Sequence, residues 1–80
     1  MNKQRRKELQ AIYKLISEAK DRLEAVKDEE EEYKDNMPEN LQGSERYERA
    51  EEIVDNLDEA IDELDDILDT IDEACDRGSL

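Results

Sequence analysis

The chain of 80 residues contains no histidine, no tryptophan and no phenylalanine, and it has a single cysteine and a single proline. Histidine is the commonest general base near neutral pH and the commonest ligand of transition metals. A chain of this length also buries too little apolar surface to build a deep catalytic cleft. We therefore expect no enzyme activity, no cofactor and no metal site.

The single cysteine, Cys75, permits no disulfide bond within the chain, and without a neighbouring base it is expected to be a core residue rather than a nucleophile. The basic segment MNKQRRKELQ is not followed by the apolar stretch of a signal peptide. No apolar run approaches the length of a transmembrane helix. These features predict a soluble, cytoplasmic protein without membrane association.

What the chain does contain is charge: 48% of its residues are charged, 35% are hydrophobic, and the net charge is −14. Such a composition is typical either of disorder or of a thin helical assembly. Periodicity decides between them, because apolar residues that recur every three and four positions share one side of a helix.

The second half of the chain divides into heptads from Tyr47: YERAEEI, VDNLDEA, IDELDDI and LDTIDEA. Positions a and d are apolar throughout, which is the pattern of a coiled-coil seam. Positions b, e and f are acidic in every complete heptad, and position g is apolar in every heptad, alternating between isoleucine and alanine. The a and d residues are Tyr47, Ala50, Val54, Leu57, Ile61, Leu64, Leu68, Ile71 and Cys75.

The first half follows the same spacing with one interruption, Glu30 at an a position. A buried carboxylate is costly, so Glu30 is expected near the open end of the seam, where it reaches solvent or an arginine, or, as the favoured alternative, in a frayed layer near the turn. The apolar members of this predicted seam are Leu9, Ile12, Ile16, Ala19, Leu23, Val26, Tyr33 and Met37.

The segment NMPENLQGSERYE joins the halves and carries the residues of a turn. Pro38 disfavours helix at the residue before it, Gly43 tolerates unusual backbone angles, and Ser44 can cap a new helix. We expect Leu41 to plug the end of the bundle. The sequence thus predicts an all-α, antiparallel two-helix coiled-coil hairpin, with helix one at about 3–36, a turn at about 37–44 and helix two at about 45–77.

Charge supports the antiparallel hairpin, because the e positions of two antiparallel helices flank each other. Helix one is mostly basic at these positions and helix two is acidic, which predicts pairs such as Lys27 with Asp58 and Lys34 with Glu51. The basic cluster KQRRK is expected to be neutralised by acids near the end of helix two, so we predict no direct nucleic-acid binding. Those acids are Asp69, Asp72, Glu73 and Asp76.

A lone hairpin would leave the apolar g positions of helix two exposed. The nearest helix that could cover them belongs to a second copy, and small scaffolds often need such association. We therefore predict a homodimer that forms a four-helix bundle. The predicted interface residues are Leu15, Ile53, Ala60, Ile67 and Ala74.

The acidic surface has three interpretations: cover that keeps a thin bundle soluble, a surface that docks a basic protein, and a mimic of nucleic acid. The leading hypothesis is a non-enzymatic interaction or inhibitor module that binds a basic, nucleic-acid-binding partner. The alternative is a structural coiled-coil oligomerisation module whose acids are only solvent cover. The predicted contact residues are Asp55, Asp58, Asp62, Asp65, Asp66 and Asp69.

The turn NMPENLQGSERYE followed by AEEIVDNLDEAIDEL resembles small acidic helical-hairpin proteins of phages and mobile elements of Gram-positive bacteria. The likeness covers about residues 28–74. It implies a helical hairpin and no activity. Small acidic proteins in that setting often inhibit host defence nucleases, and this association favours the interpretation as a mimic of nucleic acid. The likeness assigns a role to no individual residue, because no functional motif defines these proteins.

Overall fold

The computed structural model describes residues 2–78, and it contains two long helices joined by a short turn. Helix α1 spans Lys3–Asp35, a 3-10 helix spans Glu39–Leu41, and helix α2 spans Glu45–Gly78. The two long helices pack against each other as an antiparallel hairpin 60 Å long and 14 by 12 Å across. The predicted all-α helical hairpin is therefore confirmed.

Helix α1 is continuous through the four consecutive glutamates at its C-terminal end. It begins where the Asn2 side chain accepts a hydrogen bond of 2.8 Å from the backbone N–H of Arg5. It ends at Asn36, whose backbone N–H donates to carbonyl groups of the last turn. The helix stops here because Pro38 follows two residues later and restricts the residue before it.

The turn reverses the chain through one residue with a left-handed backbone, Gly43, at φ +83°. Only glycine adopts this conformation without a steric cost. The next residue, Ser44, caps α2: its hydroxyl accepts a hydrogen bond of 3.3 Å from the backbone N–H of Tyr47. Its carbonyl accepts a second one from the N–H of Glu48. The turn therefore ends, and α2 begins, at the residues that the sequence predicted.

The core is a single line of contact between the two helices. On α2 the a positions Val54, Ile61 and Leu68 are each 6% exposed, and the d residue Ala50 is also buried. The matching a residues of α1 are only half-buried. At the turn, Met37 is 7% exposed whereas Leu41 is 36% exposed. The expectation that Leu41 plugs the end of the bundle is therefore wrong, and Met37 occupies that place.

The d positions of α1 are not part of the core. Ile12, Val26 and Tyr33 are exposed, and α1 contains no buried residue. The prediction that these three residues pack in the seam is therefore wrong for a single hairpin. The physical reason is that one neighbouring helix covers only one line of side chains, so the second apolar line of a heptad pattern needs a further helix.

The register of the hairpin is fixed by ion pairs between e positions. Lys20 pairs with Asp65, and one heptad further along α1, Lys27 pairs with Asp58, which lies one heptad back along α2. The predicted pair of Lys27 with Asp58 is confirmed. Lys34 does not pair with Glu51 as expected, because its ammonium lies over the ring of Tyr47, 5.8 Å from the centroid.

Candidate functional site

Within residues 2–78, no group of three acidic, cysteine or histidine side chains is placed to hold a metal ion, and no helix is long and apolar enough to cross a membrane. Cys75 is half-buried and lies beside Tyr13 and Asp72 in a shallow groove of about 260 Å³. The features that could bind a partner lie on the surface of the hairpin.

One side of the hairpin carries the charged pairs between e positions. The Lys27 Nζ lies 2.8 Å from Asp58 Oδ1, and Lys20 forms the equivalent pair with Asp65. Each hydrogen bond stabilises the ammonium form and raises the lysine pKa above its ordinary value, although partial desolvation opposes the shift. Two of the six predicted contact residues, Asp58 and Asp65, are therefore occupied within the chain.

The other four predicted contact residues lie on the outer side of α2. They are exposed, and among residues 2–78 none of their carboxylates is in an ion pair with a lysine or arginine. A rigid helix of 34 residues holds them, so their spacing does not depend on loop conformation. We call these residues the outer acidic surface: Asp55, Asp62, Asp66 and Asp69.

The two helices differ in how they carry charge. Helix α1 has nine lysines and arginines against ten acids, whereas α2 has three arginines against fifteen acids. Residues 50–76 contain thirteen acids and no base. The net negative charge of the molecule is therefore concentrated on α2 and is not spread over both helices.

The basic cluster near the start of α1 lies at the open end of the hairpin, opposite the end of α2. Arg6, from this cluster, lines the same groove as Asp72 and Asp76. Glu73 points elsewhere and pairs with Arg77 at 2.9 Å. The placement of Arg6 between the helices is what intramolecular neutralisation requires.

The side of the hairpin opposite the lysine pairs is apolar. Six large side chains from the d and g positions of both helices are between 44% and 65% exposed there. Tyr33 of α1 and Ile53 of α2 line one groove, which shows that residues from both helices share this side. We call this surface the open apolar face, and its six residues are Ile12, Leu15, Val26, Tyr33, Ile53 and Ile67.

The five residues of the predicted dimer interface belong to or border this face, which also includes apolar residues outside that prediction. Leu15, Ile53 and Ile67 are exposed, and Ala60 and Ala74 are half-buried. Sequence reasoning missed Ile12, Val26 and Tyr33, because it assigned them to the seam. A usable signal was present, since Ala11 and Ala25 at c positions widen the apolar side of α1 in the same direction.

Glu30, the charged interruption of the predicted seam, is half-buried. It lines the groove near the turn together with Arg46 and Arg49 of α2. The expected surroundings, solvent and arginine, are thus the ones found.

Comparison of the chain with protein-family models, with curated proteins and with solved structures finds no significant match. The resemblance to phage helical-hairpin proteins stays a prediction.

Proposed function

We propose that this protein is a non-enzymatic, acidic interaction module that binds a basic protein surface through the outer acidic surface of α2. The observation that carries the proposal is the one-sign charge of residues 50–76, which hold thirteen acids and no base. A surface that only needs to be soluble is served by charges of both signs. Helix α1 of the same molecule has such a mixed surface, so α2 departs from what solubility requires.

The one-sign surface has a cost for the hairpin. Like charges at positions i and i+4 of a helix destabilise it, and Asp58, Asp62 and Asp66 follow one another at this spacing. The lysines of α1 offset only the e positions. Uncompensated carboxylates on a rigid rod create a directional negative field, which accelerates encounter with a basic partner and favours one orientation of docking.

The spacing of the acids favours a nucleic-acid-binding protein as the partner. A helix rises about 1.5 Å per residue, so residues 50–76 extend over about 40 Å. Thirteen acids over that length give about one charge per 3 Å, close to the 3.4 Å between phosphates along one DNA strand. A groove lined with lysine and arginine would bind either α2 or a nucleic-acid strand. The module would then compete with nucleic acid, for example as an inhibitor of a nuclease.

The test is a comparison of two variants with equal net charge. The first replaces the four aspartates of the outer acidic surface by asparagine. The second, a matched control, removes four carboxylates from the exposed side of α1 by Asp21→Asn, Asp28→Asn, Glu32→Gln and Asp35→Asn. Each variant and the wild type serve as bait in host-cell lysate at low and high salt, with duplex DNA as competitor.

We expect the wild type and the α1 variant to retain the same basic protein, which salt and duplex DNA release, and the α2 variant to lose it. Equal retention by all three baits would overturn the proposal. So would a lysate in which no basic protein is retained by the wild type. In either case the alternative of a structural oligomerisation module with acidic solvent cover would stand.

A further inference from the structure

Among residues 2–78, the large side chains of the open apolar face are exposed over most of the length of the hairpin. From near one end to near the turn, α1 contributes four of them: Ile12, Leu15, Val26 and Tyr33. Contiguous apolar patches of this kind on a soluble protein usually mark an interaction site. This face lies away from the outer acidic surface, so its role is separate from the function proposed above.

The size of the face matches what a stable protein interface needs. The hairpin exposes 6211 Å², whereas a compact monomer of 9.4 kDa exposes about 5,000 Å². A side of 60 by 14 Å has a projected area of about 840 Å², close to the roughly 800 Å² that each partner contributes to a standard interface. One partner of the same length and shape would cover it.

We propose that the partner is a second copy of this chain and that the two hairpins pack face to face with both turns at the same end. The two-fold axis then lies parallel to the helices, and α1 of each protomer packs antiparallel against α2 of the other. The product is an antiparallel four-helix bundle, in which every helix uses both its a and d lines.

Charge and shape complementarity argue for this arrangement. Rotation about a two-fold axis parallel to the helices does not change the position of a residue along that axis. Two residues at the same height, meaning the same position along the axis within one hairpin, are therefore also at the same height across the interface. The pairs of Lys20 with Asp65 and Lys27 with Asp58 define those levels. Two residues further along α1 than Lys20, Arg22 is level with Glu63, which lies two residues back from Asp65 on α2.

The same rule places Glu8 level with Arg77, so both edges of the interface gain opposite charges. It also brings Leu15, the most exposed apolar side chain of the face, to within one helical turn of the height of Ile67. The two charge pairs at the edges and the contact of Leu15 with Ile67 therefore occur in one and the same register.

The opposite arrangement, with the turns at opposite ends, is less favourable. It packs α1 against α1, and full overlap of the hairpins brings Arg22 against its own symmetry mate. In the same register Leu15 faces Glu29. Like charges at the centre of an interface favour the other partner orientation. The axis also meets α2 at Glu63, which is level with Arg22, so Glu63 faces its own symmetry mate as well.

The first test measures mass and geometry in one sample. In a Cys75→Ala background, Gln42→Cys in the turn takes a nitroxide label, and light scattering gives the mass. We expect twice the 9.4 kDa of one chain. We expect a label-to-label distance of about 20–35 Å by pulsed electron paramagnetic resonance, since neighbouring helices pack 8–10 Å apart. The mass of one chain, or a distance near the 60 Å length of the hairpin, would overturn the proposal.

The second test is a charge exchange at the edge of the interface. Arg22→Glu and Glu63→Arg should each weaken the dimer about tenfold, because each change acts at two symmetric sites. The double variant should recover the wild-type dissociation constant. Equal weakening in the double variant would overturn the predicted contact between Arg22 and Glu63 of the second copy. Circular dichroism of each variant shows whether the helices remain folded.

These results are independent of the proposed function. Neither Arg22 nor Glu63 belongs to the outer acidic surface, and the asparagine variants of that surface leave the open apolar face unchanged. Failure to dimerise with retained binding of a basic protein would reject this inference alone. A dimer that retains no basic protein would reject the proposed function alone.

Discussion

The Lys27 ammonium donates a hydrogen bond of 2.8 Å to Asp58, 31 residues away on the other helix. This contact and the equivalent one between Lys20 and Asp65 are spaced by one heptad on both helices. Together they mark one antiparallel register, in which each lysine at an e position of α1 meets an aspartate at an e position of α2. Their strength depends on the lysines being protonated, which makes it measurable.

Stability should therefore fall in alkaline solution through these two lysines. Their pKa values are raised above 10.5 in the folded chain, chiefly by the hydrogen bonds to Asp65 and Asp58. A raised lysine pKa adds stability that is complete below the unfolded value and is lost as pH rises through the folded value. We expect the melting temperature, followed by circular dichroism, to show this loss only above about pH 10.5.

The control for this experiment is the double variant Lys20→Met, Lys27→Met, because it lacks the two paired ammonium groups and keeps every other ionisable side chain. The variant should melt at a lower temperature at pH 7. The difference should shrink as pH rises through the folded lysine pKa. A difference that stays constant up to pH 12 would mean that the two ion pairs do not stabilise the fold.

The turn offers a test of backbone strain without a change in packing. A Cβ added to Gly43 would meet no atom within 4 Å, yet the residue holds φ +83°. The whole cost of Gly43→Ala should therefore come from the left-handed backbone, about 1–2 kcal/mol in the free energy of unfolding. Gly43→Asn should cost less, because asparagine tolerates this region better. Equal stabilities of the three proteins in urea would contradict the assigned conformation.

Heptad spacing and turn chemistry predicted the helices and the reversal of the chain, because both are local properties of the sequence. The e-position charges predicted the contact of Lys27 with Asp58, because the turn sets the approximate register and the e positions of antiparallel helices flank each other. Spacing alone did not reveal that Ile12 and Val26 would be exposed, since a pattern marks apolar positions but not the number of helices that cover them. Lys34 lies over the Tyr47 ring because its flexible side chain has more than one partner within reach.

Salt should stabilise this protein overall, although it weakens the lysine pairs. The two pairs favour low ionic strength, whereas thirteen acids without an intervening base in residues 50–76 repel one another. At 0.5 M salt the screening length is about 4–5 Å, shorter than most of those acid-to-acid distances. We expect a higher urea midpoint at 0.5 M than at 0.02 M sodium chloride. The α2 asparagine variant described above should show a smaller rise, and a falling midpoint in the wild type would show that the ion pairs outweigh the repulsion.

A single substitution at Glu30 should stabilise the hairpin. It is half-buried at an a position, on the level of Val54, and interrupts the line of apolar contacts between the helices. Glu30→Leu removes a partly desolvated carboxylate and adds apolar contact, which should raise the free energy of unfolding by about 1 kcal/mol. Asp28→Leu is the matched control: it removes the same charge from the same helix at an exposed position, so it reports the effect of charge alone. Urea unfolding of both variants checks the prediction, and an equal gain from Asp28→Leu would mean that relief of negative charge, and not the seam, accounts for the effect.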